Sequence, residues 1–111
     1  MIGIDTGILL RYPLKDDPVL SLRALEIIAA NDCYVTRAAL TEAVYTLESY
    51  YRSSRAGIGG ALDALLGLRR VAVEDRSVTE RAVDWYKGGM DFGDAMIAAA
   101  SHGSTHVETF D

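Results

Sequence analysis

Short apolar runs alternating with stretches of helical periodicity constrain this chain more than anything else in it. Ile2-Gly3-Ile4-Asp5 is a brief apolar run ending in an acid, and it reads as a buried strand. Cys33-Tyr34-Val35 and Val71-Ala72-Val73 read the same way, and the segment from His106 to Phe110 reads as a last strand. Between them the periodicity is helical. Thr6 opens a helical turn or two stopped by Pro13. Pro18 suits a first helical position, and Leu22, Leu25, Ile28 and Ala29 form a stripe that lasts to Asn31. Thr36 is placed to cap a helix running to Tyr51 with a stripe of Leu40, Val44, Leu47 and Tyr51. Beyond Ser53 and Ser54, a further helix passes through Ala61, Leu62, Leu65, Leu66 and Leu68, weakened at its start by Gly57, Gly59 and Gly60. Ser77 is placed to cap a helix with Val78, Ala82 and Trp85 inward, ended by Gly88-Gly89. Asp91 begins a small-residue helix that lasts through Ala100. Strands alternating with helices imply an α/β fold, a three-layer α/β/α sandwich around a mainly parallel central sheet.

At 111 residues the chain fits a single domain spanning 1–111, long enough to bury a core without staples. Cys33 is the lone cysteine, which excludes an internal disulfide and a cysteine-based zinc site and suits a cytoplasmic setting. The N-terminus has neither the basic flank nor the apolar run of a signal peptide, and no stretch approaches the ~20 apolar residues of a membrane span. The formal charge of −5 opposes nonspecific nucleic-acid affinity, which is driven by Lys and Arg. Bound divalent cations would invert that local field, so the charge leaves two options: no nucleic acid, or nucleic acid through metal.

Acids stand where parallel-sheet proteins keep their chemistry, at or just beyond strand ends. Asp5 closes the first strand, Asp111 closes the last, and Asp94 lies in the first turn of the helix that precedes it. Singly, each has an ordinary structural reading. Asp5 can be a turn former or helix cap, and Asp111 a solvated terminal acid. Asp91 and Asp94 have the spacing of a capping box and suit the positive end of a helix dipole. Glu42 falls nearly opposite the stripe of its helix, so periodicity alone makes it a solvated glutamate.

Taken together, these stretches resemble the PIN domain, and in particular the VapC-type toxins. Ile2-Gly3-Ile4-Asp5-Thr6-Gly7-Ile8-Leu9 is similar to the family's first strand and its first metal-binding acid. Leu40-Thr41-Glu42-Ala43-Val44-Tyr45-Thr46-Leu47 resembles the helix carrying its glutamate. Asp91-Phe92-Gly93-Asp94-Ala95-Met96-Ile97-Ala98-Ala99-Ala100 is the closest match, with Asp94 at the third acid and Asp91 at an additional acid found in many members. Thr109-Phe110-Asp111 matches the closing motif, whose acid often completes the site. The resemblance covers essentially the whole chain, in order and in spacing. It departs at Gly7, where the family usually has Asn or Ser, and at Asp111, beyond which relatives continue through a further helix and strand. The chain is therefore expected to lack those last elements.

The resemblance implies an endoribonuclease dependent on magnesium or manganese (Mg2+ or Mn2+), with Asp5, Glu42, Asp94 and Asp111 as catalytic and metal-binding residues and Asp91 among the metal-binding acids. Asp5 and Asp94 would be principal ligands. Glu42 would bind the metal or orient the attacking water, and Asp111 would complete a second metal position. Thr6 and Thr109 would hydrogen-bond ligand carboxylates or phosphate. Hard cations prefer oxygen ligands, and crowded acids tolerate one another only when cations discharge them. The resemblance also implies an RNA substrate, a cognate antitoxin protein and a homodimer, for which the helix from Ala61 to Leu68 offers an interface. Arg11, Arg52, Arg55, Arg69 and Arg70 offer phosphate contacts, although a solvated face or ion pairing is the simpler reading. For Tyr45, Tyr50, Tyr51, Trp85 and Tyr86, core or interface packing is favoured over base stacking. His102 and His106 carry no clear signal.

Two other functions compete. A non-catalytic PIN-like module binding RNA or protein would accommodate Gly7 and the short C-terminus. An aspartyl-phosphate phosphatase or receiver would also place an Asp after its first strand, but Asp5-Thr6-Gly7 lacks the second acid a phosphatase needs, and no strand end offers a receiver's lysine.

Overall fold

The computed structural model describes residues 1–11 and 18–101. Their elements follow the order β1 (Ile2–Ile4), α1 (Thr6–Arg11), α2 (Pro18–Ala30), β2 (Cys33–Val35), α3 (Arg37–Ser49), α4 (Arg55–Leu66), β3 (Val71–Val73), α5 (Arg76–Lys87) and α6 (Phe92–Ala100). The three strands form a parallel sheet in the order β1-β2-β3, with Ile4, Val35 and Val73 in register across it. Six helices and this parallel sheet make a compact α/β fold, in line with the expected fold class. The strand expected from His106 to Phe110 lies outside the described residues.

All three expected strands form, because each apolar triplet meets a matching neighbour. Cys33 and Val35 of the central strand are fully buried between Ile4 and the pair Val71 and Val73. In α3, Leu40, Val44 and Leu47 face the core, each contributing roughly 1.5–3 kcal/mol of burial. Thr36 caps this helix as expected, accepting the Ala39 N–H at 3.1 Å. Tyr51, by contrast, lies past the helix end at Ser49, where Arg52 turns the chain with a φ of 53°.

Three other expectations are corrected. In α2 the inward face is Ser21, Ala24 and Ile28, while Leu22 and Leu25 are 57% and 43% exposed and Ala29 also faces out. This helix is apolar around most of its circumference, so periodicity selects no unique face, and the small side chains take the tight contact. Helix α4 holds its glycines in its first half as expected but ends at Leu66, so Leu68 falls past it. Ser54 caps it by accepting the Gly57 N–H at 3.1 Å, and a Cβ on Gly59 would come within 2.9 Å of Lys87 Cγ, so the glycine admits α5. Leu62 and Leu65 are buried within the chain, while Ala61, Leu66 and Leu68 stay half-buried and Ala64 is exposed.

Helix α5 is entered from Asp75, not Ser77. Asp75 adopts a left-handed φ of 45° without capping through its side chain. Its carboxylate instead reaches Arg37 Nη2 at 3.4 Å, on the first residue of α3. The inward stripe is accordingly Thr79, Ala82, Val83 and Tyr86, with Val78 and Trp85 half-buried at its margin. Gly88-Gly89 ends the helix as expected, Gly89 taking a φ of 118°.

Candidate functional site

In a parallel sheet the residues just beyond the strands line one edge. One step past the register of Ile4, Val35 and Val73 stand Asp5, Thr36 and Glu74. Asp5 is exposed, and its Oδ1 accepts the Ile8 N–H at 3.0 Å, so it also caps α1. The structural and the chemical reading of Asp5 are thus compatible, since capping engages one oxygen.

Glu42 is exposed on the outward face of α3, as its spacing requires. Asp94 is exposed in the first turn of α6, and its backbone N–H donates to Asp91 Oδ2 at 3.1 Å. Asp91 is therefore the N-cap of α6, one arm of the expected capping box. The carboxylates of Glu42 and Asp94 make no hydrogen bond or ion pair among the described residues. Asp111 and Thr109 lie outside the described residues.

Helix packing brings the carriers of these acids together. α3, bearing Glu42, packs against both α1, capped by Asp5, and α6, begun by Asp91 and Asp94. Among the described residues, however, no three Asp, Glu, His or Cys side chains converge closely enough to hold a metal ion. The available donors are all carboxylate oxygens, which suit a hard divalent cation. Buried Cys33, whose Sγ faces backbone carbonyls of α2 and the following turn, is not part of that edge.

Sequence reasoning passed over Glu74, although it follows β3 just as Asp5 follows β1. Its Oε1 accepts the Arg37 backbone N–H at 2.9 Å, tying α3 to the end of β3. Of the arginines weighed for phosphate, Arg70 pairs with Asp32 at 2.9 Å and holds that carboxyl below its ordinary range. Arg55 donates to the carbonyls of Tyr86 and Met90 at 2.7 and 2.8 Å. Arg70 is an ion-pair partner, as the simpler reading expected, whereas Arg55 is held by main-chain carbonyls, which that reading did not foresee. Among the aromatic residues Tyr86 is core and Trp85 and Tyr51 pack on it, whereas Tyr45 and Tyr50 are exposed and take no part in the core.

Gly7 touches this site through what it lacks. A Cβ there would lie 3.5 Å from Asp5 Oδ1, in ordinary contact. A polar side chain at position 7 would therefore stand beside the first acid. Gly7→Asn is expected to stabilise α1 by only about 0.3 kcal/mol, since asparagine is a slightly better helix residue than glycine. It is also expected to tighten divalent-cation affinity roughly tenfold by restraining Asp5. Urea unfolding with and without manganese separates the two effects, and unchanged cation affinity would refute the second.

Compared with known protein families, the chain matches the PIN domain over residues 2–111. No curated protein matches it significantly. PIN domains are in general nucleases that act on RNA and use divalent metals. The match spans nearly every residue, and the three parallel strands and packed helices agree with its fold, so the chain belongs to the PIN domain family.

Proposed function

We propose that this protein is a metal-dependent endoribonuclease of the VapC toxin type. The observation that carries the reading is a pair of exposed carboxylates, Glu42 and Asp94, without partners among the described residues, on helices that pack against each other. Neither carboxylate gains an ion pair or a hydrogen bond from the fold, which leaves its oxygens open to a ligand.

Asp5 and Asp94 would hold magnesium or manganese, with Asp111 completing a second position. Such a cation, when bound, neutralises charge on the scissile phosphate and makes water a stronger nucleophile. Glu42 orients the attacking water and takes up its proton. Asp91 keeps the first turn of α6 in place through its cap, which fixes the backbone of Asp94, and it lies close enough in sequence to join the metal-binding acids. Thr6 and Thr109 are placed beside ligand acids in sequence and would hydrogen-bond carboxylate or phosphate. A cognate antitoxin and a second copy of the chain are the partners this reading carries. The exposed Leu22 and Leu25 of α2 supply apolar surface for one of them.

Incubating the purified chain with RNA and Mg2+ or Mn2+ tests this directly. Cleavage that a chelator stops is expected, together with a rise in melting temperature of about 10 °C when the cation exceeds its Kd a hundredfold, corresponding to about 2.7 kcal/mol. Intact RNA and a melting temperature indifferent to both ions would overturn the proposal.

A further inference from the structure

Glu42 and Asp94 share a surrounding that metal binding does not explain. Each is followed three residues later by a large apolar side chain left in solvent: Tyr45 after Glu42, 68% exposed, and Ile97 after Asp94, 56% exposed. Residues three apart on a helix are neighbours, with Cβ atoms about 5–6 Å apart. A ligand seated on either carboxylate therefore lies against the apolar residue one turn on.

Nothing in the fold accounts for Tyr45. Tyr86 is buried and hydrogen-bonded, and Tyr50 and Tyr51 pack edge to face at 5.0 Å. The Tyr45 side chain makes no hydrogen bond or ring contact among the described residues. Leaving an aromatic ring in water forgoes the burial it would gain in a core, and an exposed ring beside a candidate site is a contact surface.

The cations point the same way. Arg37 and Lys87 are held in ion pairs with Asp75 and Asp63. Arg70 pairs with Asp32, Arg76 binds the carbonyls of Leu66 and Val71, and Arg55 binds those of Tyr86 and Met90. With these groups engaged internally and Arg23, Arg52 and Arg69 left exposed at scattered positions, phosphate contacts supply only part of the affinity for RNA. Stacking of a base on an aromatic ring supplies affinity without any cation, roughly tenfold per base.

Resting on the nuclease reading above, we propose that Tyr45 is a substrate-contacting residue whose ring stacks on an unpaired RNA base next to the phosphodiester at the acidic site. An RNA base is favoured over a protein side chain as occupant because Tyr45 adjoins Glu42 on the same exposed face. The ring contributes to binding in the ground state and in the transition state alike, so its removal raises KM and leaves kcat nearly unchanged.

The test is steady-state cleavage of an unstructured oligoribonucleotide in Mg2+ by the wild-type chain, Tyr45→Ala and Tyr45→Phe. Tyr45→Ala is expected to raise KM roughly tenfold, and Tyr45→Phe, which keeps the ring, to stay within about twofold of wild type. Melting temperature and sedimentation should be the same for all three. An unchanged KM in Tyr45→Ala would overturn the stacking role while the nuclease reading stands. An unchanged KM with a loss of dimer would overturn it in favour of a protein contact. Failure of the wild-type chain to cleave would remove both readings together.

Discussion

Replacing Asp94 by Asn is expected to lower RNA cleavage on the order of a thousandfold while leaving the fold intact, because the change removes charge without removing shape. Asp94 is exposed, its carboxylate makes no hydrogen bond among the described residues, and its backbone N–H donates to Asp91, a bond the substitution keeps. The loss of a negative charge in the first turn of α6 costs about 0.3–1 kcal/mol of interaction with the helix dipole. Relief of repulsion among nearby acids offsets part of that. The melting temperature without metal should therefore barely move, whereas its rise on adding Mg2+ or Mn2+ should largely vanish. Asp5→Asn should behave alike, since Asn caps a helix as well as Asp and preserves the bond to Ile8. Asp91→Asn is the informative comparison. It keeps the cap, so retained cleavage would assign Asp91 to structure, and lost cleavage would assign it to the metal. Full activity in Asp94→Asn, measured as initial rate at saturating RNA, would refute the assignment of Asp94.

What was legible in the sequence was what depends on neighbouring residues. Apolar triplets revealed β1, β2 and β3, and the side-chain oxygens of Thr36 and Asp91 revealed two helix starts, because a cap reaches only three residues along the chain. The start of α5 was not legible, because Asp75 is turned by Arg37, whose guanidinium arrives from a distant helix. The inward face of α2 was hidden by its excess of apolar residues. Arg55 looked like a surface cation, and only its reach to the carbonyls of Tyr86 and Met90 shows that it closes the turn before α6. Within the candidate site, Asp5 and Asp94 could be placed from strand and helix signals. Glu42 was placed by the family pattern alone, since its spacing matches that of any solvated glutamate. Glu74 obeyed the same strand-end logic as Asp5 but had no motif to draw attention to it.

Tyr86 should be among the most costly residues to replace. It is fully buried, with Phe92 edge-on at 5.5 Å and the Arg55 guanidinium 4.5 Å from its ring centre, and its hydroxyl donates to Glu48 Oε2 at 2.9 Å. Residues of α3, α4, α5 and α6 thus meet on one side chain. Tyr86→Ala is expected to destabilise the protein by about 3–5 kcal/mol, a large share of an ordinary domain's 5–15 kcal/mol. Tyr86→Phe keeps the ring and should cost about 1 kcal/mol, because partly buried Glu48 recovers some hydration when its donor is lost. The phenol also carries a signature in pH. Burial first, then the hydrogen bond to Glu48 and its charge, push its pKa up to about 12. The unfolded phenol titrates near 10. Above that pH the unfolded chain releases a proton that the native state retains, so the contribution is complete below pH ~10 and lost as pH rises toward ~12. The slope approaches at most about 1.4 kcal/mol per pH unit. Urea titrations at successive alkaline pH values should show a shallower decline in Tyr86→Phe than in wild type, and equal slopes would refute the attribution. Because Phe92 opens α6 two residues before Asp94, a loosened Tyr86 should reduce RNA cleavage by lowering the folded fraction. Normalised to folded protein, the rate of Tyr86→Phe should match wild type, which separates a residue that supports the acidic helix from one that takes part in the cut.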